Sequence, residues 1–455
     1  MLTWRNRTFV AVALIVAIAG ASVWPKYGAT ERAQPSEPKR IDITLYRFFG
    51  GCSDQYSGVT DISVAVGECG IMQVLTNGFN AGNDLGALVH TQNIEWSAYY
   101  DRLSAAYATR HPPTIAIMNR SVLPRFANRG LLLPLKQDLL AADVLLGDVI
   151  PAALEGVMVN GEVYALPFDI HALLWHINLD LMAEAGLMNE RGEPVLPNSP
   201  EELLTQAKQV RDKTGQAYLA IPSQTDPMPV WTFETWVWQQ SSTIIASDLR
   251  TVQIDTLPAR RALDLLQDLY DKGHANRNHD YAGAEQAFLN GEAAVLVNGT
   301  WVVDGYLAQA QQSGVKLKRY TARTVPTLFN KASAWTDSHV WILPRPEQPD
   351  ADKHRAAIAF LKFLFEHSAH WAKTGHLPVR NSTLVSRAFQ SLPERTGYMD
   401  TAAIAQAPAA VDNRKAVQDA LIQEINATWL LPRSPHETLQ RAQQQIERIL
   451  ERTQR

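Results

Sequence analysis

Residues 281–301 constrain the fold of this chain more than any other stretch. Residues 282–290 read as a short helix, Gly291 stands where a helix stops, and 293–297 is an unbroken apolar run. An apolar run of that length suits a strand buried on both faces, which requires helices on either side of a sheet. Asn298-Gly299 then reads as a sharp turn into a segment that opens with Trp301. The pattern places an indole at the carboxyl end of a strand and the start of a helix. Open α/β sheets bind ligands at strand carboxyl ends, and helix N-termini supply free N–H groups there.

The same strand–helix rhythm runs through the first third of the chain. Residues 41–49 read as a strand, and Ile71, Val74, Leu75 and Phe79 share one helical face. A short strand at 87–89, a helix at 97–108, a strand at 114–118 and a helix at 122–128 stopped by Gly130 follow. Such alternation predicts a parallel sheet covered by helices. Asn160-Gly161 between apolar runs predicts a hairpin over 157–166. Ser199-Pro200-Glu201-Glu202 and Ser434-Pro435-His436-Glu437 each carry a helix-opening cap with proline at the first helical position. After the second, Leu439, Ala442, Ile446 and Leu450 form one apolar stripe, so the last helix should dock on the body of the protein.

A chain of 455 residues is too long for one ordinary core, and two lobes or more are expected. Its 42 basic and 46 acidic residues leave a formal charge of -4 with no basic run, which argues against a nucleic-acid partner. Arg5 and Arg7 precede an apolar stretch over 9–24, and Pro25, Lys26 and a polar run follow. This reads as a signal peptide and linker over 1–40, with cleavage at Ala17-Ile18-Ala19 or Ala19-Gly20-Ala21 and export to the periplasm. The alternative is an uncleaved membrane anchor, although the stretch falls short of the roughly twenty residues that a spanning helix needs. Cys52 and Cys69 are the two cysteines, and in an oxidising compartment they most simply form one disulfide; a pair of buried thiols is the alternative.

Several segments, in order, resemble the extracellular solute-binding proteins of sugar-type ABC transporters, of the maltose- and glycerol 3-phosphate-binding kind. Asn298-Gly299-Thr300-Trp301 is similar to the segment that sets a sugar-stacking Trp in their cleft. Gly161-Glu162-Val163-Tyr164-Ala165-Leu166-Pro167-Phe168-Asp169, running on to Ala185-Gly186-Leu187, resembles their first crossing between lobes. Residues 333–344 resemble the second crossing, with Trp335, Asp337 and His339 near the cleft, and Gly375-His376-Leu377-Pro378 resembles the turn at the last. The chain departs from the family at Thr114, where an acid is usual, and at His176-Ile177-Asn178, where Tyr-Asn is usual. The resemblance implies an α/β fold, a two-lobed, type II-like periplasmic-binding-protein fold with three interlobe crossings. Lobe 1 would be 41–168 plus 338–373, and lobe 2 169–337 plus 374–455. It implies the substrate-binding component of an ABC importer, a monomer without cofactor that passes a carbohydrate to membrane permease subunits.

A sugar presents apolar C–H faces and a rim of hydroxyls, so its site calls for flat aromatic rings and short polar groups. With that chemistry, and with the places in the cleft that the resemblance implies, the ligand-binding residues expected are Trp301, Trp231, Trp236 and Trp335 as platforms, with Asp169, His171, Asp337, Asn119, Arg380 and Tyr99 as polar partners. The chain has no Gly-x-Ser-x-Gly, His-Glu-x-x-His, Walker or Rossmann pattern. His367 and His370 lie one helical turn apart without a third ligand at matching spacing, so no metal site is expected there. A secreted carbohydrate-active enzyme and a ligand-sensing partner of a membrane receptor are the alternative functions.

Overall fold

In the computed structural model, which describes residues 40–453 except Thr225, Ile41–Arg47 is the strand around which the first sheet is built. Ile43 and Leu45 are buried, and the strand runs parallel to Ala87–Asn93 along its whole length and to Ile115–Asn119 at Leu45 and Tyr46. The order across the sheet is Ala87–Asn93, Ile41–Arg47, Ile115–Asn119, His339–Ile342, Leu166–Pro167, the last two antiparallel to their neighbours. Gly67–Gly82 buries Ile71, Val74, Leu75 and Phe79, the face expected from their spacing, and Phe79 meets Phe360 of helix Ala351–Glu366 edge-on at 5.0 Å. Thr114, at the family's acidic position, accepts a hydrogen bond from the Thr44 N–H at 3.2 Å and so ties two neighbouring strands.

A second sheet is organised around Asp169–Asn178. Ala405–Gln406, Ala334–Asp337, Asp169–Asn178, Ala293–Gly299 and Ala217–Ala220 lie in that order, while Tyr320–Thr324 and Leu377–Pro378 also pair with Asp169–Asn178. The chain leaves the first sheet after Pro167 and enters the second at Asp169; it returns between Asp337 and His339, and passes over once more before Leu377. Every residue of Ala293–Gly299 is buried, as the apolar run requires. The hairpin stands as expected, with Asn160 and Gly161 both at positive φ. So do the two caps: Ser199 accepts from the Glu202 N–H and Ser434 from the Glu437 N–H. Leu439, Ala442, Ile446 and Leu450 dock the last helix, Pro435–Thr453.

Asn298-Gly299 is not the turn its composition suggested. Both residues continue the strand, and Gly299 is extended at φ -101°. Glycine is required there for space: a Cβ at Gly299 would lie 2.0 Å from the Trp301 ring. His176, at the second departure from the family, is fully buried; its Nε2 sits 3.1 Å from the Gly299 carbonyl oxygen and its Nδ1 2.7 Å from the Tyr320 hydroxyl. The carbonyl can only accept, so Nε2 carries the proton and Nδ1 accepts from Tyr320. Burial pushes this imidazole down to about 3, which keeps it neutral.

Cys52 and Cys69 are joined in a disulfide. Closing a loop with a sequence separation of 17 stabilises the folded state by about 3 kcal/mol in the chain-entropy account. Cys52→Ser should lower the denaturant midpoint correspondingly, and the exported protein should show no free thiol. Two titratable thiols in the native protein would remove the bond from the argument. The proposed signal peptide lies outside the described residues, among which no helix is long and apolar enough to cross a membrane.

Candidate functional site

The carboxyl ends of strands from both sheets converge on a cavity of about 550 Å³, within the range of small-molecule sites. From the first sheet come Phe48 and Phe49, immediately after Ile41–Arg47, and Trp96, which opens the helix Trp96–Ala108. From the second come Trp301, just after Ala293–Gly299, and Trp335 in Ala334–Asp337, joined by Trp231 on helix Met228–Trp238 and Tyr281 at the start of helix Tyr281–Leu289. Trp231 stacks on Trp335 at 4.0 Å with 17° between their planes. Trp301 stands edge-on to Trp231 at 6.4 Å, and Trp96 does so at 6.5 Å. The result is an indole wall whose rings fix one another. Trp301 is half-buried, and its indole N–H donates to the Tyr281 hydroxyl at 3.1 Å.

Polar groups line the same cavity. Asn119 closes a two-way exchange with Tyr100: its backbone N–H donates to the Tyr100 oxygen at 2.8 Å, and the Tyr100 hydroxyl donates to Asn119 Oδ1 at 2.7 Å. Asp337 accepts from the Ser121 hydroxyl at 2.5 Å and from the Ser121 N–H at 3.2 Å. Burial pushes Asp226 up to about 6, against the opposing hydrogen bond from the Met228 N–H. Arg414, also on the lining, pairs with the buried Glu234 at 3.3 Å.

Six of the ten residues expected at a ligand site line this cavity: Trp231, Trp301, Trp335, His171, Asp337 and Asn119. Four do not. Tyr99 is fully buried in the first core, its hydroxyl donating to the Ile117 carbonyl at 2.7 Å. Trp236 is 3 % exposed on Met228–Trp238, a helix buried on every side, so periodicity could not tell its core face from its cavity face. Arg380 pairs with Asp148 at 2.8 Å and covers the Phe365 ring. Asp169 lies behind His171 and His339, and its carboxylate already accepts from the Trp371 N–H at 2.6 Å and the His339 backbone N–H at 3.0 Å. Asp169 itself is fully buried. The resemblance and the residue types missed Phe48, Phe49 and Trp96, although the strand-end rule that singled out Trp301 applies equally to them.

Three histidines surround Asp169. His339 Nδ1 is 2.8 Å from Oδ2, His171 Nδ1 3.3 Å from Oδ1 and His376 Nε2 3.7 Å from Oδ2. Burial opposes ionisation of Asp169, but His339 and His376 outweigh it and hold the carboxyl well below its usual range. Burial likewise pushes His376 down to about 3 and, together with the charge of Asp169, pushes Glu68 up.

Residues 75–397 match the family model described as bacterial extracellular solute-binding protein. Among solved structures, the chain is similar to the GacH receptor of Streptomyces glaucescens, solved unliganded and with acarbose or an acarbose homolog. The two are 19% identical over 90% of this chain and 99% of that one, with a TM-score of 0.76. Maltose-bound MalE3 of T. maritima is 17% identical over 90% of this chain and all of its own, at 0.75. MalE from Bdellovibrio bacteriovorus, bound to maltotriose, is 16% identical over 90% of this chain and all of its own, at 0.73. At such identities the likeness establishes the two-lobed fold, while ligand chemistry has to be argued from the cavity.

Proposed function

The chain belongs to the bacterial extracellular solute-binding proteins, and from that premise we propose that it captures a mono- or oligosaccharide in the periplasm and delivers it to the permease of an ABC importer. The observation that carries this reading is the indole wall of Trp231, Trp301 and Trp335 lining one cavity together with Asn119 and Asp337. Flat rings match the C–H faces of a sugar, and the amide and carboxylate match its hydroxyls. Acarbose, maltose and maltotriose in the related structures have this same chemistry.

Capture would proceed by closure of lobe 1 (41–168 plus 338–373) on lobe 2 (169–337 plus 374–455), with hinges at Asp169, Asp337 and Gly375. A ligand that touches both lobes favours the closed state by the contacts it gains there. Residues 1–40 act as signal peptide and linker, and the monomer binds without cofactor and without turnover. Calorimetry of the purified chain with maltose, maltotriose and acarbose tests this. Saturable one-site heats without new products are expected. Product formation that scales with protein would assign the site to a carbohydrate-active enzyme instead, and absence of heat with a wide oligosaccharide panel would overturn the carbohydrate reading.

A further inference from the structure

We propose that Asp169, His171, His339 and His376 bind a divalent transition-metal ion beside the cavity that His171 and His339 line, an inference argued without the sugar reading. All four side chains are buried, and one ligand atom from each lies within 4.8 Å of the others. They come from all three passages between the sheets: Asp169 and His171 from the first, His339 from the second and His376 from the third.

His376 supplies the strongest observation. The Thr374 hydroxyl is 2.7 Å from the Trp371 carbonyl and 2.6 Å from His376 Nδ1. Its single proton goes to the carbonyl, which can only accept, so Nδ1–H of His376 donates to the hydroxyl. In the neutral ring that leaves Nε2 a bare lone pair. Nε2 is buried without a hydrogen-bond partner among the described residues, 3.3 Å from Glu68 Oε1 and 3.7 Å from Asp169 Oδ2. A buried lone pair facing the Asp169 carboxylate and the half-buried Glu68 carboxyl is unfavourable unless a proton or a metal ion lies between them.

A metal ion relieves this arrangement, and the surroundings have the form of a metal site. The second nitrogen of His376 is held by a hydroxyl, and Asp169 is oriented by the Trp371 and His339 N–H groups, as second-shell partners orient ligands elsewhere. Three imidazoles and one carboxylate suit zinc and its first-row neighbours, whereas calcium and magnesium prefer all-oxygen sets. Neighbouring donors around a tetrahedral zinc lie about 3.3 Å apart, so a pair at the 4.8 Å limit must approach by about 1.5 Å on loading. His171 and His339 line the cavity and give the ion a route in. Once bound, it would tie the three passages together where the lobes pivot.

The test is titration of chelator-treated full-length protein with zinc chloride by calorimetry, followed by diffraction at the zinc edge. One ion per chain with a dissociation constant below micromolar is expected, with anomalous density among the four side chains. His376→Gln and His339→Asn should each weaken binding a hundredfold or more and abolish the zinc-induced rise in melting temperature; two variants guard against misfolding of either. A proton shared between Nε2 and Glu68 would relieve the same repulsion. In that case cooperatively folded protein takes up no stoichiometric zinc, and the proposal falls. Zinc affinity unchanged in both variants overturns it as well. Maltotriose calorimetry on the same chelated sample reports separately on the sugar reading.

Discussion

Gly375→Ala should cost the protein about 3 to 5 kcal/mol of stability, summing backbone strain and overpacking. Gly375 has φ +125°, outside the range that a residue with a Cβ adopts comfortably, and an added Cβ would lie 1.8 Å from the Thr300 carbonyl oxygen and 2.9 Å from Val303 Cβ. Neither neighbour can yield easily. Thr300 is buried at the start of the Trp301 segment, and the turn itself is clamped by Arg395, which donates to the Ala372 and Lys373 carbonyls, and by the Tyr398 hydroxyl on the Gly375 carbonyl. Urea unfolding measures the effect. A midpoint indistinguishable from that of the parent protein would show that the turn relaxes without loss and is not a rigid hinge element.

Trp301→Ala should weaken oligosaccharide binding ten- to hundredfold, the equivalent of about 1 to 3 kcal/mol for one stacking face, and leave most of the stability intact. The indole is half-buried, held by the Tyr281 hydroxyl and by contact with the Gly299 backbone, and it forms part of the cavity wall. Trp236→Ala provides the opposite pattern. That ring is core, so its loss should cost about 3 to 5 kcal/mol of folding stability. Affinity and unfolding midpoint measured on both variants separate the roles. If Trp301→Ala behaves like Trp236→Ala, with affinity intact in the folded fraction, Trp301 leaves the site.

What the sequence determined by itself was local or nearly so. The caps at Ser199 and Ser434 and the hairpin at Asn160-Gly161 depend on hydrogen bonds and φ preferences within a few residues, so they could be read directly. The buried strand Ala293–Gly299 follows from an apolar run, and the disulfide from there being two cysteines to pair. Resemblance to a known family extended this to the crossings, because those segments keep their order along the chain.

Only the tertiary structure decided which groups meet. On Met228–Trp238 every side chain is buried, so hydrophobic spacing carries no information about direction; the neighbouring elements place Trp231 on the cavity and Trp236 in the core. Gly299 illustrates the same limit from the other side. Its composition signalled a turn, yet the residue is extended and is glycine because an indole two positions on lies against its backbone. Asp169 and its three histidines are the furthest case. Residues 169, 171, 339 and 376 carry no common spacing, and they converge because three separate passages between two sheets cross at one point. Local propensity acts over one or two turns of chain, whereas a cluster like this is set by long-range strand pairing, which no local pattern encodes.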